Sequence, residues 1–194
     1  MANKDAAFGM KPVRMIGGAP YTGGQSRYRI AANYGTSIFQ GDMVAQVTGG
    51  TVEVHADGGT VPVVGVFNGV QYTDPTSGDQ VFSNYYPAST NASDIIAFII
   101  DDPDVVYEVQ ADDTFPVTDL FGNFDIVYTS AGSTSTGISG AELDVTTGAT
   151  ATTLPIKAID ISEDPNNSDT GAANTNVLVV IQNSVFGVKG AGLA

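Results

Sequence analysis

Apolar residues fall at every second position in short runs, and turn residues cut the runs roughly every 8–12 positions. No segment carries the 3.6-residue period of a helix. The clearest run is 51–56 (TVEVHA), with Val52 and Val54 on one face and Glu53 and His55 on the other. Thr48-Gly49-Gly50 precedes it and predicts a tight turn back from 43–48 (MVAQVT), because glycine takes positive φ without strain. Residues 105–111 (VVYEVQA) put Val105, Tyr107 and Val109 in one phase, and 123–129, 154–161 and 176–183 read as further strands. Residues 67–72 read as a bulged strand or a strand–turn–strand. The most apolar run, 94–101 (DIIAFIID), predicts a central strand covered on both faces. The count comes to about eleven short, mostly antiparallel strands, so the predicted fold is all-β, a barrel or a sandwich.

The first thirty residues break this pattern. They hold five of the chain's seven basic residues, Lys4, Lys11, Arg14, Arg27 and Arg29, against one acid, Asp5. The segment therefore carries +4 and the other 164 residues −18, for a net −14. Gly9, Gly17, Gly18, Gly23 and Gly24 interrupt any regular run, and Pro12 and Pro20 remove backbone donors. Phe8, Met10, Val13, Met15, Ile16, Tyr21 and Tyr28 are spaced along it as apolar anchors. The expected organisation is an extended basic arm over 1–26 that lies on another protein, a β body over 27–183, and a glycine-rich tail over 184–194 with Phe186 and Val188 as anchors. Lys4, Lys11, Arg14 and Arg27 would meet an acidic partner surface, while Phe8, Met10, Met15 and Tyr21 would be buried against it.

Charge and composition narrow the function. A net charge of −14 repels nucleic acid, so direct DNA or RNA binding is disfavoured. No run approaches the roughly 20 apolar residues of a membrane helix. The N-terminus has no apolar signal-peptide region. There is no cysteine, hence no disulfide framework and no thiolate metal site. His55, the only histidine, is expected at a solvated or rim position, and no Gly-x-Ser-x-Gly elbow or phosphate-binding glycine loop occurs. Asp101, Asp102 and Asp104 share one turn, and Glu163, Asp164, Asn166, Asn167 and Asp169 share one loop. Oxygen-rich loops of this kind can hold Ca²⁺, but neither has EF-hand spacing, and solvated Asp-Pro turns are the plainer reading. No metal or other cofactor is expected.

The stretch 2–14 (ANKDAAFGMKPVR) resembles the start of head structural proteins of tailed bacteriophages, notably short-tailed marine phages. Gly41-Asp42, the run 64–70 (VGVFNGV) and the corner Tyr86-Pro87-Ala88 look like the same group, so the likeness lies within residues 1–110. The chain is similar to capsid decoration, or cement, proteins. That resemblance implies a small β-rich virion protein, made in the host cytoplasm and placed on the outer surface of the capsid. It implies no enzyme activity. Its partner would be the major capsid protein, bridged so that the expanded head is stabilised, and the chain would be a homo-oligomer, a trimer ahead of a dimer. The alternatives are another virion component such as a fibre or tail part, a calcium-dependent carbohydrate-binding module, and a hydrolase using Asp101 and Glu108. A fibre would show repeats or heptads, and none occurs.

Overall fold

A computed structural model describes residues 3–188. In chain order the strands are β1 (Lys11–Met15), β2 (Ser26–Arg29), β3 (Ile38–Phe39), β4 (Met43–Gln46), β5 (Val52–Val54), β6 (Val63–Thr73), β7 (Gln80–Ser83) and β8 (Tyr85–Tyr86). There follow β9 (Ile96–Ile100), β10 (Val105–Gln110), β11 (Asn123–Tyr128), β12 (Ala141–Ala149), β13 (Ile156–Ile161), β14 (Asn176–Ile181), β15 (Asn183–Ser184) and β16 (Gly187–Val188). The only helical element among the described residues is a 3-10 turn, Val117–Asp119. The all-β expectation holds. The described strands number sixteen rather than about eleven: β1 lies in the segment read as an arm, β7 and β8 divide one expected strand, and β15 and β16 are two residues long and leave no alternation to read.

Two sheets account for most of the chain. The first has the order β1-β10-β14-β13-β11-β12, and the second runs β16-β15-β6-β4-β5 with β7, β9 and β2 joined through β6 and β9. Pairing is antiparallel except where β15 meets β6. The first sheet curls until Ala111 forms a parallel bridge to Leu143. It does not close, so the arrangement is a sandwich and not a barrel. Val105, Tyr107 and Val109 point into the inter-sheet core with Phe124, Val177 and Val179, and meet Met43, Val63, Val66 and Ile100 of the second sheet. A second core lies on the far side of that sheet, where Val44, Val64, Phe67 and Ile99 pack with Ile30, Ile38, Tyr86 and Ile95.

The hairpin read at Thr48-Gly49-Gly50 is present as β4–β5, with Val44 opposite Val54 and Gln46 opposite Val52. The bulged strand is also present: β6 runs unbroken from Val63 to Thr73, with its register shift between Phe67 and Gly69. His55 is a correction. It is 1% exposed, because β5 ends at Val54 and the following loop folds over the ring. Its Nε2 pairs with the Val61 carbonyl at 2.9 Å, and side-chain-free Gly59 packs against Cε1.

The larger correction concerns the arm. Residues 3–21 do not stand apart from the body. β1 pairs antiparallel with β10, Lys11 opposite Glu108 and Met15 opposite Val105. Met10 is 1% exposed inside the inter-sheet core, and Met15 and Tyr21 pack against it. Upstream, the Asn3 amide donates to the carbonyls of Asp169 and Ala173, and the Lys4 carbonyl accepts from Gln110 Nε2 and Asn167 Nδ2. The boundary at residue 26 therefore has no counterpart in the packing. Of the anchors, Met10 is buried and Phe8, Met15, Tyr21 and Tyr28 are partly buried within the chain itself, while Val13 and Ile16 stay exposed; an edge strand of two-residue period makes this division possible without a partner. Of the expected tail, residues 184–188 belong to the β15–β16 ribbon, which begins at Asn183, with Phe186 52% exposed at its tip. The rest of the tail, and the first two residues of the arm, lie outside the described residues.

Candidate interaction surface

β6 is long enough to serve two different neighbours. Its first half, with β4, lies under the first sheet. Its second half carries β7 on one side and β9, then β2, on the other. Residues directly opposite one another in a sheet share a face. Arg29, Ile96, Gln71 and Phe82 therefore form one row across β2, β9, β6 and β7, and Arg27, Phe98 and Gly69 form the next. The opposite face of these strands carries Tyr28, Ala97 and Val70, which pack in the second core. The first sheet does not extend over the Arg29 row. Ile96 and Phe98 are consequently half-buried, although the pairing of β9 on both edges makes it central as expected. The expectation that β9 is covered on both faces fails at these two side chains. Phe82 is 66% exposed, the most open of the exposed large apolar residues described.

Three basic residues, Lys11, Arg27 and Arg29, lie along the borders of this open shelf. The Arg27 guanidinium lies 5.8 Å from the Phe98 ring centroid, a cation–π contact. Arg27 and Arg29 are exposed, and neither has a carboxylate partner among the described residues. Where the shelf meets the first sheet, β1 and the residues before it form a wall. Lys11 stands on that wall, 63% exposed. It is ion-paired to Glu108 at 3.2 Å and sits 5.9 Å from the Phe8 ring. A cleft of about 210 Å³ opens at the junction, lined by Phe8, Pro12, Val66, Ile100, Ile138 and the Gln40–Asn68 pair. Gln40 Nε2 donates to Asn68 Oδ1 at 2.9 Å, and Asn68 Nδ2 donates to Gln25 Oε1 at 2.8 Å. This amide chain links the cleft to the approach of β2.

Of the expected contact residues, Lys11, Phe8 and Arg27 come together around the cleft and shelf. Met10 is in the core. Met15 and Tyr21 are partly buried against it, with the Tyr21 hydroxyl donating to the Gly24 carbonyl at 2.9 Å. Arg14 folds back on its own strand, Nη1 reaching the Met15 carbonyl. Lys4 is exposed beside the loop before β14, and no contact described links it to the shelf. Arg29, Ile96, Phe82 and Ile138 are added by the structure. Only the alternation of 27–31 (RYRIA), arginines against Tyr28 and Ile30, signalled one of them beforehand.

The acidic loops have local roles. Asp102 accepts the backbone N–H of Asp104, Asp164 that of Asn166, and Asp169 that of Gly171, as turn-capping carboxylates do. Among the described residues, no group of three or more His, Asp or Glu side chains is arranged to hold a metal ion. Burial, together with the hydrogen bond the Tyr28 hydroxyl donates to Asp101 at 2.8 Å, pushes the Tyr28 phenol up to about 12. Glu108 instead belongs to the Lys11, Ser162 and Asn176 network. No family model, curated protein or solved structure matches this chain.

Proposed function

We propose that this chain is a virion structural protein that decorates the outside of a tailed-phage capsid, bridging major capsid subunits so that the expanded head resists internal pressure. The single observation that carries the reading is the shelf: an open apolar sheet face bordered by Lys11, Arg27 and Arg29 on a chain of net −14. A cationic border on an acidic body favours one orientation against an acidic surface and disfavours others. Many copies on a lattice multiply a modest single-site affinity. The resemblance of residues 2–14 and 64–70 to phage head proteins supports the same partner. In this version of the mechanism the contact is made by a rigid edge of the body instead of a free arm.

The test is co-sedimentation of the purified protein with expanded capsids of the phage that encodes it. Binding is expected for the wild type and is expected to fall when Arg27→Glu and Arg29→Glu are combined, with the melting temperature unchanged. Equal capsid binding by the double variant would reject the shelf as the contact. No binding by the wild type would reject decoration. Deleting residues 2–26 is a poor test, since it also removes Met10 from the core.

A further inference from the structure

We infer that the cleft beneath Phe8 and Pro12 is an anchor pocket for one apolar side chain of an extended, acidic protein segment. The identity of the protein that supplies the segment rests on the capsid-decoration reading; the chemistry of the pocket does not.

Size selects the class of ligand. Small-molecule sites run from roughly 300 to 1,000 Å³, whereas this cleft is about 210 Å³ and takes one side chain. Its walls are apolar: Phe8, Pro12, Val66, Ile100 and Ile138. Ile138 is 41% exposed at its mouth. An aromatic or branched aliphatic side chain seated there and cut off from water has the form of an interface hot spot. The rim supplies what an extended backbone needs. The amide chain Gln40–Asn68–Gln25 uses the Gln40 donor and the Gln25 acceptor internally, which leaves Gln40 Oε1 to accept and Gln25 Nε2 to donate. Those two free ends match a peptide N–H and a peptide C=O.

Charge selects the flanking residues. Lys11 stands on the wall beside Phe8 with one ion pair to Glu108. On the other side, Asn68 adjoins Gly69, which pairs with Phe98 beneath Arg27. Carboxylates before and after the anchoring side chain would reach these cations. A basic segment would meet like charge on both sides.

The full chain, labelled with ¹⁵N, is titrated at low salt with a short acidic peptide carrying one central phenylalanine, and with the same peptide carrying glycine there. The expected result is amide shift changes at Gly41, Asn68 and Ile138 and in the Gln25 and Gln40 side chains, with the glycine peptide at least about fivefold weaker. Ile138→Asp, and independently Gln40→Ala, should weaken the phenylalanine peptide while keeping the wild-type melting curve. Equal affinity of the two peptides, or no shift at these positions at millimolar peptide, overturns the inference. Capsid co-sedimentation separates this result from the parent reading. If Ile138→Asp binds capsids as wild type while the Arg27 and Arg29 reversal does not, the pocket fails as a capsid contact and decoration stands. If the peptide result holds and wild type ignores capsids, the pocket stands and decoration fails.

Discussion

A Cβ placed on Gly9 would lie 2.8 Å from the carbonyl oxygen of Gly41, and the same carbonyl accepts the Met10 N–H at 2.9 Å. The two backbones cross in direct contact, both glycines at positive φ, 69° and 99°. Gly41 in turn donates to the Phe67 carbonyl, so one crossing ties the N-terminal segment to the second sheet. The crossing lies between Phe8 and Lys11, and together with the β1–β10 ladder it holds both at the cleft.

Gly9→Ala should therefore lower the unfolding free energy by more than the ~1 kcal/mol typical of alanine at positive φ, since its Cβ also meets Ser139. Urea denaturation measures this directly. A loss confined to a few tenths of a kcal/mol would mean that the crossing relaxes freely.

Met10→Ala tests whether the segment belongs to the core. Met10 is 1% exposed among inter-sheet core residues, so truncation should cost about 2–5 kcal/mol. A mobile arm would lose almost nothing, and the urea midpoint distinguishes the two.

The ion pair should be asymmetric. Lys11 is exposed, and Lys11→Ala should cost no more than about 1 kcal/mol. Glu108, 7% exposed, also accepts from the Ser162 hydroxyl and the Asn176 amide. Glu108→Ala strands the buried Asn176 amide and the half-buried Ser162 hydroxyl and should cost about 1–3 kcal/mol. A double-mutant cycle reads the coupling between the two side chains.

Stability should decline as pH rises from acid to neutral. Burial pushes the Glu142 carboxyl up to about 7, with the charges of Asp5 and Asp112 adding to it. Burial likewise lifts Asp42 to about 6, against hydrogen bonds from the Phe39 N–H and the Ser139 hydroxyl at 2.5 Å. Both groups hold protons in the folded chain that they lose in the unfolded chain, so protonation favours folding. The penalty is absent below the ordinary carboxylate range and complete above the raised values, which places the loss between about pH 4 and 7. Glu142→Gln keeps an acceptor for the Thr129 hydroxyl and removes the charge. Its stability should match wild type near pH 4 and exceed it by about 1–3 kcal/mol at pH 8. Parallel curves at both pH values would contradict this.

Much of the architecture was legible because period-two alternation is a local property. Val52 and Val54, or Val105, Tyr107 and Val109, identify a strand and its inner face wherever the strand ends up, and Thr48-Gly49-Gly50 dictates its turn by backbone sterics alone. The concentration of cations near the N-terminus was equally plain, and with it the prospect of an acidic partner. What the sequence could not settle was which apolar residues the chain keeps for itself. Met10 looks the same in a list of anchors whether it meets a partner or its own core. That choice was made by the pairing of β1 with β10 and by the contact of Gly9 with Gly41, thirty-two positions away. His55 shows the same limit, since alternation places a side chain on a face but does not say what folds over it. The shelf exists for a similar reason. Ile96 and Phe98 read as core, and they remain half-open because the first sheet is not wide enough to cover the far half of β6. Local chemistry therefore determined the strands and the charge. Sheet width and long-range packing decided which surface was left to meet another molecule.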